Sequence, residues 1–141
     1  TIFLRHSVLW PDQAVSYVCL PEDEKGKHYG AFVQETNSPI CVVSLFAEPL
    51  PCAVPEFDSN STIAVRFRKF ACAPSYQGRG IGTALLKHAF ISARTHLSAS
   101  VVWCDARLSA SRWYEKRGMR PFGESFWKGD IEYTRMWIAV W

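Results

Sequence analysis

Three of the chain's eight glycines fall in the five positions from Gly78 to Gly82 of "QGRGIG" (Gln77–Gly82), and an uninterrupted helical pattern follows at once. Glycine costs about 1 kcal/mol inside a helix and is freely accommodated in the turn before one. A helix N-terminus presents unpaired amides and a partial positive charge. Small residues ahead of it let a phosphate group approach the backbone closely, and Arg79 can add a charge-assisted contact. The alternative is a strand-to-helix turn with no ligand.

The spacing separates the known phosphate loops. A Walker A loop needs Lys-Ser/Thr after its last glycine, whereas Thr83-Ala84 follow Gly82. A dinucleotide fingerprint needs GxGxxG with an acid about 20 residues further on. Here the third glycine comes one position early, and Ser98–Ser100 are small and polar. A pyrophosphate loop of the form Gln/Arg-x-x-Gly-x-Gly/Ala is matched at every fixed position.

Other reactive side chains are less patterned. Cys19, Cys41, Cys52, Cys72 and Cys104 make an odd set without a CxxC pair, which suits free thiols in a reducing compartment better than disulfides. His6, His28 and His96 have no partner at metal spacing, His88 falls inside a helical run, and no metal site is expected. No Cys-His pairing supports covalent catalysis, so Cys72 reads as a bystander. Arg66, Arg68 and Lys69 fit either a substrate anion site or pairing with acids.

Elements must carry these residues. "TIFLRHS" reads as a short strand, and "LWPDQAVSYV" as a short helix with Pro11 in its first turn. "PEDEKGK" is a charged loop. "HYGAFVQE" and "ICVVSLFA" read as strands joined by a turn at "TNSP". The proline-rich "EPLPCAVPEFDSNS" is a long loop suited to substrate contacts. In "TIAVRFRKFACA", Val65, Phe67 and Ala71 alternate against Arg66, Arg68 and Phe70, as in a central strand. Ile81, Leu85, Ala89 and Ala93, with Leu86, Phe90 and Leu97, make an amphipathic helix. "SVVWCDA" is a buried strand, "SASRWYEKRG" a short helix capped by Gly118, and "IEYTRMWIAVW" a final strand. An antiparallel meander leading into a strand–loop–helix–strand unit is an α+β arrangement.

Composition bounds the rest. The 141 residues, 48% hydrophobic and 21% charged, fit one globular domain over residues 1–141. A net charge of +3 is far from that of a dedicated nucleic-acid binder, and the basic residues are scattered. No run approaches the ~18 apolar residues of a membrane span, and no signal peptide opens the chain. The expected location is the cytoplasm, with the nucleus as the alternative. Because the chain opens on Thr1, an N-terminal piece is expected to be missing.

"FRKFACAPSYQGRGIGTALL" resembles the coenzyme-binding motif of the GNAT superfamily of acetyl-CoA-dependent N-acetyltransferases. "ASRWYEKRGM" is similar to that family's downstream A-x-x-φ-Y-E-K-x-G-F/M helix, where φ is apolar. More narrowly, "WCDARLSASRWYEKRGMRPFGESFWKGDIEYTRMW" resembles small ElaA/YjcF-type members, with their G-E-x-F and late Met. The likeness covers about residues 63–138. It implies a mixed, mostly antiparallel sheet flanked by helices, with a splayed pair of parallel central strands.

The resemblance also implies roles. The backbone of Phe70, Ala71 and Cys72 would pair with the pantetheine arm of acetyl-CoA, as an added strand does. An amide near Phe70 would polarise the thioester carbonyl. Amides of Gln77, Gly78, Arg79, Gly80, Ile81, Gly82 and Thr83 would hold the pyrophosphate. Tyr114 would protonate the departing thiolate, which a phenol of pKa near ~10 can do at neutral pH; the plain alternative is a core aromatic beside Trp113. There are two departures. Arg107 stands where many members carry Asn, and Ile63–Ala73 lacks the carboxylate that some use as base. Asp105, Glu48, His28 and Glu132 are unranked substitutes, beside a water relay or an amine that binds already neutral.

The expected activity is direct attack of a primary amine on acetyl-CoA. The acceptor is expected to be a small molecule rather than a protein, and a homodimer through the aromatic last strand is an expectation by analogy. The rival is a non-catalytic acyl-CoA binding or sensing module.

Overall fold

In a computed structural model, the described residues are 5–9, 14–20, 26–33, 38–52, 54, 62–74, 77, 78 and 80–140, the first two segments and residue 33 by backbone alone. The chain divides into two compact units, Thr1–Phe46 with Phe67–Ile91 and Ala47–Arg66 with Ser92–Trp141.

The first unit begins with four strands in sequence order, β1 (Arg5–Leu9), β2 (Ala14–Leu20), β3 (Lys27–Val33) and β4 (Cys41–Ala47). They form an antiparallel meander with Leu9 opposite Ala14, Val18 opposite Gly30 and Ala31 opposite Cys41. β5 (Ala64–Cys72) lies next to β4, and the loop after it leads into α1 (Ile81–Leu97). Ile81, Leu85, Leu86, Ala89 and Phe90 are buried, as are Tyr29, Ala31, Val43, Leu45 and Phe67 on the strands. The rings of Phe67 and Phe90 meet at 6.2 Å, and Tyr29 meets His88 edge-on at 5.4 Å. Each large apolar side chain so buried contributes about 1.5–3 kcal/mol, and the four-residue recurrence of these positions is what turns α1's apolar stripe inward.

In the second unit, Ala64–Arg66 of β5 pairs in parallel with Val101–Trp103 of β6 (Val101–Arg107), and the parallel register covers only those positions. β6 pairs antiparallel with β8 (Ile131–Ala139), and β8 with β7 (Arg120–Lys128). A 3-10 turn (Leu108–Ala110) and α2 (Ser111–Glu115) join β6 to β7. Alternation along β6 gives two cores. Trp103 packs with Val54, Val101, Phe122 and Trp137. Val102, Cys104 and Ala106 are buried on the opposite side of the strand, as Met136 is on β8.

Among the described residues the sheet is thus mixed and mostly antiparallel, as expected, with a parallel pair between β5 and β6. Three expectations need correction. The segment read as a short helix, residues 9–18, instead holds the last residue of β1 and most of β2, while residues 10–13, Pro11 among them, lie outside the described residues. Pairing of β2 on both sides, with β1 and β3, outweighs the local helical spacing. β7 has no counterpart in the sequence reading, because Pro121 and Gly123 interrupt its pattern. It tolerates both as an end strand whose register shifts between Phe122 and Phe126. Finally, Lys69 adopts a left-handed backbone (φ 58) inside β5. The alternation breaks there, so Arg68, Lys69 and Ala71 are exposed while Phe70 is half-buried and meets Phe67 edge-on at 6.2 Å.

Candidate functional site

The glycine loop lies in the first unit. Gly78 and Gly80 both have φ 79, a conformation that side-chain-bearing residues rarely adopt. The Gly80 carbonyl accepts the first helical bond from the Ala84 amide at 3.0 Å, so Gly80 is the N-cap and brings no side chain to cover the first turn. That turn carries no acidic residue. Gly82 is different: a Cβ there would sit 3.4 Å from Cζ of Phe70 and 3.9 Å from Sγ of Cys41, ordinary contact distances that leave room for a methyl group. Two glycines therefore shape the turn, and the third lies beside Phe70 and Cys41 in the first turn of α1. A helix start without acid or capping side chain fits an anionic group such as a pyrophosphate.

Gln77 holds the loop rather than opening it. Its Nε2 donates to the Cys72 carbonyl at 3.0 Å, and its own amide donates to the Pro74 carbonyl at 3.3 Å. The Ala73 amide donates to the Ile40 carbonyl at 2.7 Å, tying the end of β5 to the start of β4. Of the residues expected to hold the coenzyme, Phe70, Ala71, Cys72, Gln77, Gly78, Gly80, Ile81, Gly82 and Thr83 thus follow one another through a strand end, a strapped turn and a helix start. Arg79 lies outside the described residues.

Tyr114 lies in the second unit, half-buried on α2. Burial, and after it the neighbouring Cys104 thiol, push its phenol well above the ordinary value of 10.0, so the hydroxyl keeps its proton at neutral pH. Its ring meets Trp113 edge-on at 5.1 Å. The Tyr114 carbonyl accepts from the amides of Arg117 (3.0 Å) and Met119 (3.2 Å), and Gly118 turns the chain out with φ 97. Arg117 stacks over Trp113 at 3.5 Å and donates to its carbonyl at 2.8 Å, which fixes the helix's outer side.

The scattered charges resolve into pairs. Arg66 donates to Asp105 at 2.6 Å and to Glu48 at 3.2 Å while lying 4.8 Å over the Trp103 ring. Lys128 reaches Asp105 at 3.3 Å, and Arg135 approaches it at 3.6 Å. Asp105 is therefore the centre of a cationic cluster. The indole of Trp103 donates to the Glu48 carbonyl at 3.0 Å, so the proline-rich loop is anchored by Glu48 at its start and by the buried Val54.

Among the other base candidates, Glu132 accepts from Ser125 at 2.6 Å and Nδ1 of His28 bonds Ser44 at 2.7 Å. Arg68 lies 5.6 Å over Phe46, Arg107 and His96 are exposed, and the His6 side chain lies outside the described ones. No group of metal-binding side chains occurs among the described residues, and no helix among them is long and apolar enough to cross a membrane. The convergence of Arg66, Lys128 and Arg135 on Asp105 escapes the sequence reading; period-two spacing of Trp103 and Asp105 on β6 and of Tyr133 and Arg135 on β8 is the signal available.

Comparison with known proteins agrees with this architecture. Residues 28–120 match the family model of the acetyltransferase (GNAT) domain. The Bacillus subtilis (strain 168) protein described as uncharacterized N-acetyltransferase YitI is 30% identical over 128 residues, covering 89% of this chain and 80% of the relative. Among solved structures, Vibrio cholerae spermidine N-acetyltransferase in complex with CoA and spermine superposes with a TM-score of 0.62 at 21% identity, covering 84% of this chain and 68% of that one. Escherichia coli ElaA gives 0.62 at 12% identity, covering 80% and 68%. With the family model spanning both the glycine loop and Tyr114, the chain belongs to the GNAT acetyltransferase family.

Proposed function

We propose that residues 1–141 form one catalytic domain that transfers an acetyl group from acetyl-CoA to the primary amine of a small molecule. The observation that carries this is the start of α1: two left-handed glycines, a side-chain-free N-cap and a first turn without acid. Acetyl-CoA would supply the activated thioester. The amides at Gly78–Thr83 would bind its pyrophosphate, and Phe70–Cys72 would pair with its pantetheine arm as one strand pairs with another. Gln77 would act through its bond to Cys72, keeping strand end and loop in register.

Tyr114 would hold a proton at Oη for the departing sulfur, in keeping with its raised phenol. Asp105 and Glu48 are paired with Arg66, and Glu132 with Ser125, so this reading gives the amine's proton to water. The remaining rate would come from holding both substrates in reacting geometry. A small amine as acceptor is supported by the Vibrio cholerae spermidine N-acetyltransferase structure, which is a complex with CoA and spermine. A cytoplasmic setting suits the free thiols of Cys41, Cys52, Cys72 and Cys104.

The test is calorimetric titration with acetyl-CoA, CoA and NAD, followed by an amine screen and by Tyr114→Phe. Binding of both CoA forms with NAD inert, and a turnover loss of about 100-fold in Tyr114→Phe at unchanged CoA affinity, are expected. CoA binding without turnover on any amine would make the protein an acyl-CoA binding module. No binding by any nucleotide would reduce the glycine loop to a turn.

A further inference from the structure

Two thiols meet beside the glycine loop. Within the first unit, Ala73 bonds Ile40 at 2.7 Å and Arg68 lies over Phe46. As β4 runs from residue 40 to 46, its partners on β5 thus run from 73 to 68, so the two strands are antiparallel. One step inward from the Ile40–Ala73 bond, Cys41 and Cys72 stand across from each other. The Cys72 thiol is close enough to act on the Cys41 thiol. Directly opposed residues of antiparallel strands have Cα atoms about 4.5–5.5 Å apart, inside the span a disulfide accepts.

The two sulfurs differ in access. Cys41 is buried and Cys72 half-buried. Burial, with the Cys72 thiol adding to it, pushes Cys41 up to about 12, so Cys41 stays a thiol and the accessible Cys72 is the one a reagent meets first. Both contact the elements that shape the loop. The Cys72 carbonyl receives the Gln77 side chain, and Cys41 Sγ lies 3.9 Å from the Cβ position of Gly82.

We infer that Cys41 and Cys72 are a reversible disulfide-forming site, oxidised by a low-molecular-weight disulfide and reset by thiols. The Cys72 thiolate attacks one sulfur of the reagent, giving a mixed disulfide and releasing one reagent thiol. The Cys41 sulfur then attacks Cys72, its proton passing to the departing reagent thiolate, and expels the second reagent thiol. One protein disulfide forms as one reagent disulfide is reduced. Closing the bond draws Cys72 toward the core and shifts the strand end to which Gln77 is strapped. The consequence for coenzyme binding rests on the proposed acetyl-CoA site; the thiol chemistry does not.

The experiment treats the full chain with glutathione disulfide, then maps peptides without reduction and titrates CoA before and after dithiothreitol. The expected result is a Cys41–Cys72 crosslink with the mass loss of two hydrogens. CoA affinity should fall about tenfold, within the usual range for coupled sites, and dithiothreitol should restore it. Cys41→Ala, and Cys41→Val should the smaller residue destabilise the fold, should bind CoA as the unoxidised protein does and lose the sensitivity. A stable glutathione adduct on Cys72, or no crosslink, overturns the inference whether or not CoA binds. A crosslink in a protein that binds no CoA in either state upholds the disulfide site and overturns the acetyl-CoA reading instead.

Discussion

Arg66 and Asp105 meet at 2.6 Å with only 15% and 11% of their side chains exposed. The guanidinium also covers Trp103, and Lys128 and Arg135 approach the same carboxylate. Removing one member of so enclosed a pair strands the other's charge. Asp105→Ala should lower the free energy of unfolding by about 3 kcal/mol, whereas Lys128→Met, whose side chain is 49% exposed, should change it by less than about 0.5 kcal/mol. Urea titration of the two variants checks both, and an equal loss would place the enclosure elsewhere.

The glycines of the loop should separate by mechanism. Gly78→Ala forces a side chain into φ 79 and should cost about 1 kcal/mol although nothing surrounds the new Cβ. Gly82→Ala meets Phe70 at an ordinary contact distance within a helical turn, so its stability should stay level or rise by up to about 1 kcal/mol. Thermal melts of the pair distinguish backbone strain from crowding. A drop in CoA affinity in Gly82→Ala would then reflect the binding surface and not loss of fold.

Lys69 is left-handed without being glycine. Lys69→Gly should raise stability by about 0.5–1 kcal/mol by releasing that strain, and Lys69→Val should lower it by at least as much. A melt in which Lys69→Gly is the less stable protein would show that the lysine side chain, not the backbone, matters at this position.

Alkaline pH should weaken the fold. The folded chain holds the Cys41 proton up to about 12 against an ordinary 9.0, and Tyr114 and Cys104 are likewise raised, chiefly by burial. From about pH 9 upward, unfolding releases protons that the folded state retains, so stability falls as pH rises and is fully present below that range. The urea midpoint should be level from about pH 7 to 8.5 and decline above it. Cys41→Ala should flatten part of the decline, and an unchanged slope would assign the effect to other groups.

The helical stripe of α1 and the alternation of β6 are legible because burial acts on them from one or two sides with a fixed period. The glycine loop is legible as a unit, but that Gly82, unlike Gly78, has room for a methyl beside Phe70 depends on how β5 approaches, which no local pattern records. β2 is hidden because its pairing on both edges is non-local, and β7 because Pro121 and Gly123 are tolerable only on a strand with one neighbour. The charges mislead differently. Arg66 and Asp105 are 39 positions apart, so their pairing follows from the β5–β6 register rather than from either segment alone. For the same reason the pairing of Glu48 and Asp105, base candidates by residue type, with Arg66 is visible only in the fold.

The left-handed Lys69 also has a consequence for how the protein can change over generations. It resets the phase of β5, so Val65 and Phe67 answer to packing under one alternation while Phe70–Cys72 follow another. Substitutions that retune the core before the break leave the facing of the strand end untouched, and the reverse holds as well. One strand can thereby be selected for two purposes, with the Phe67–Phe70 ring contact as the point where they meet.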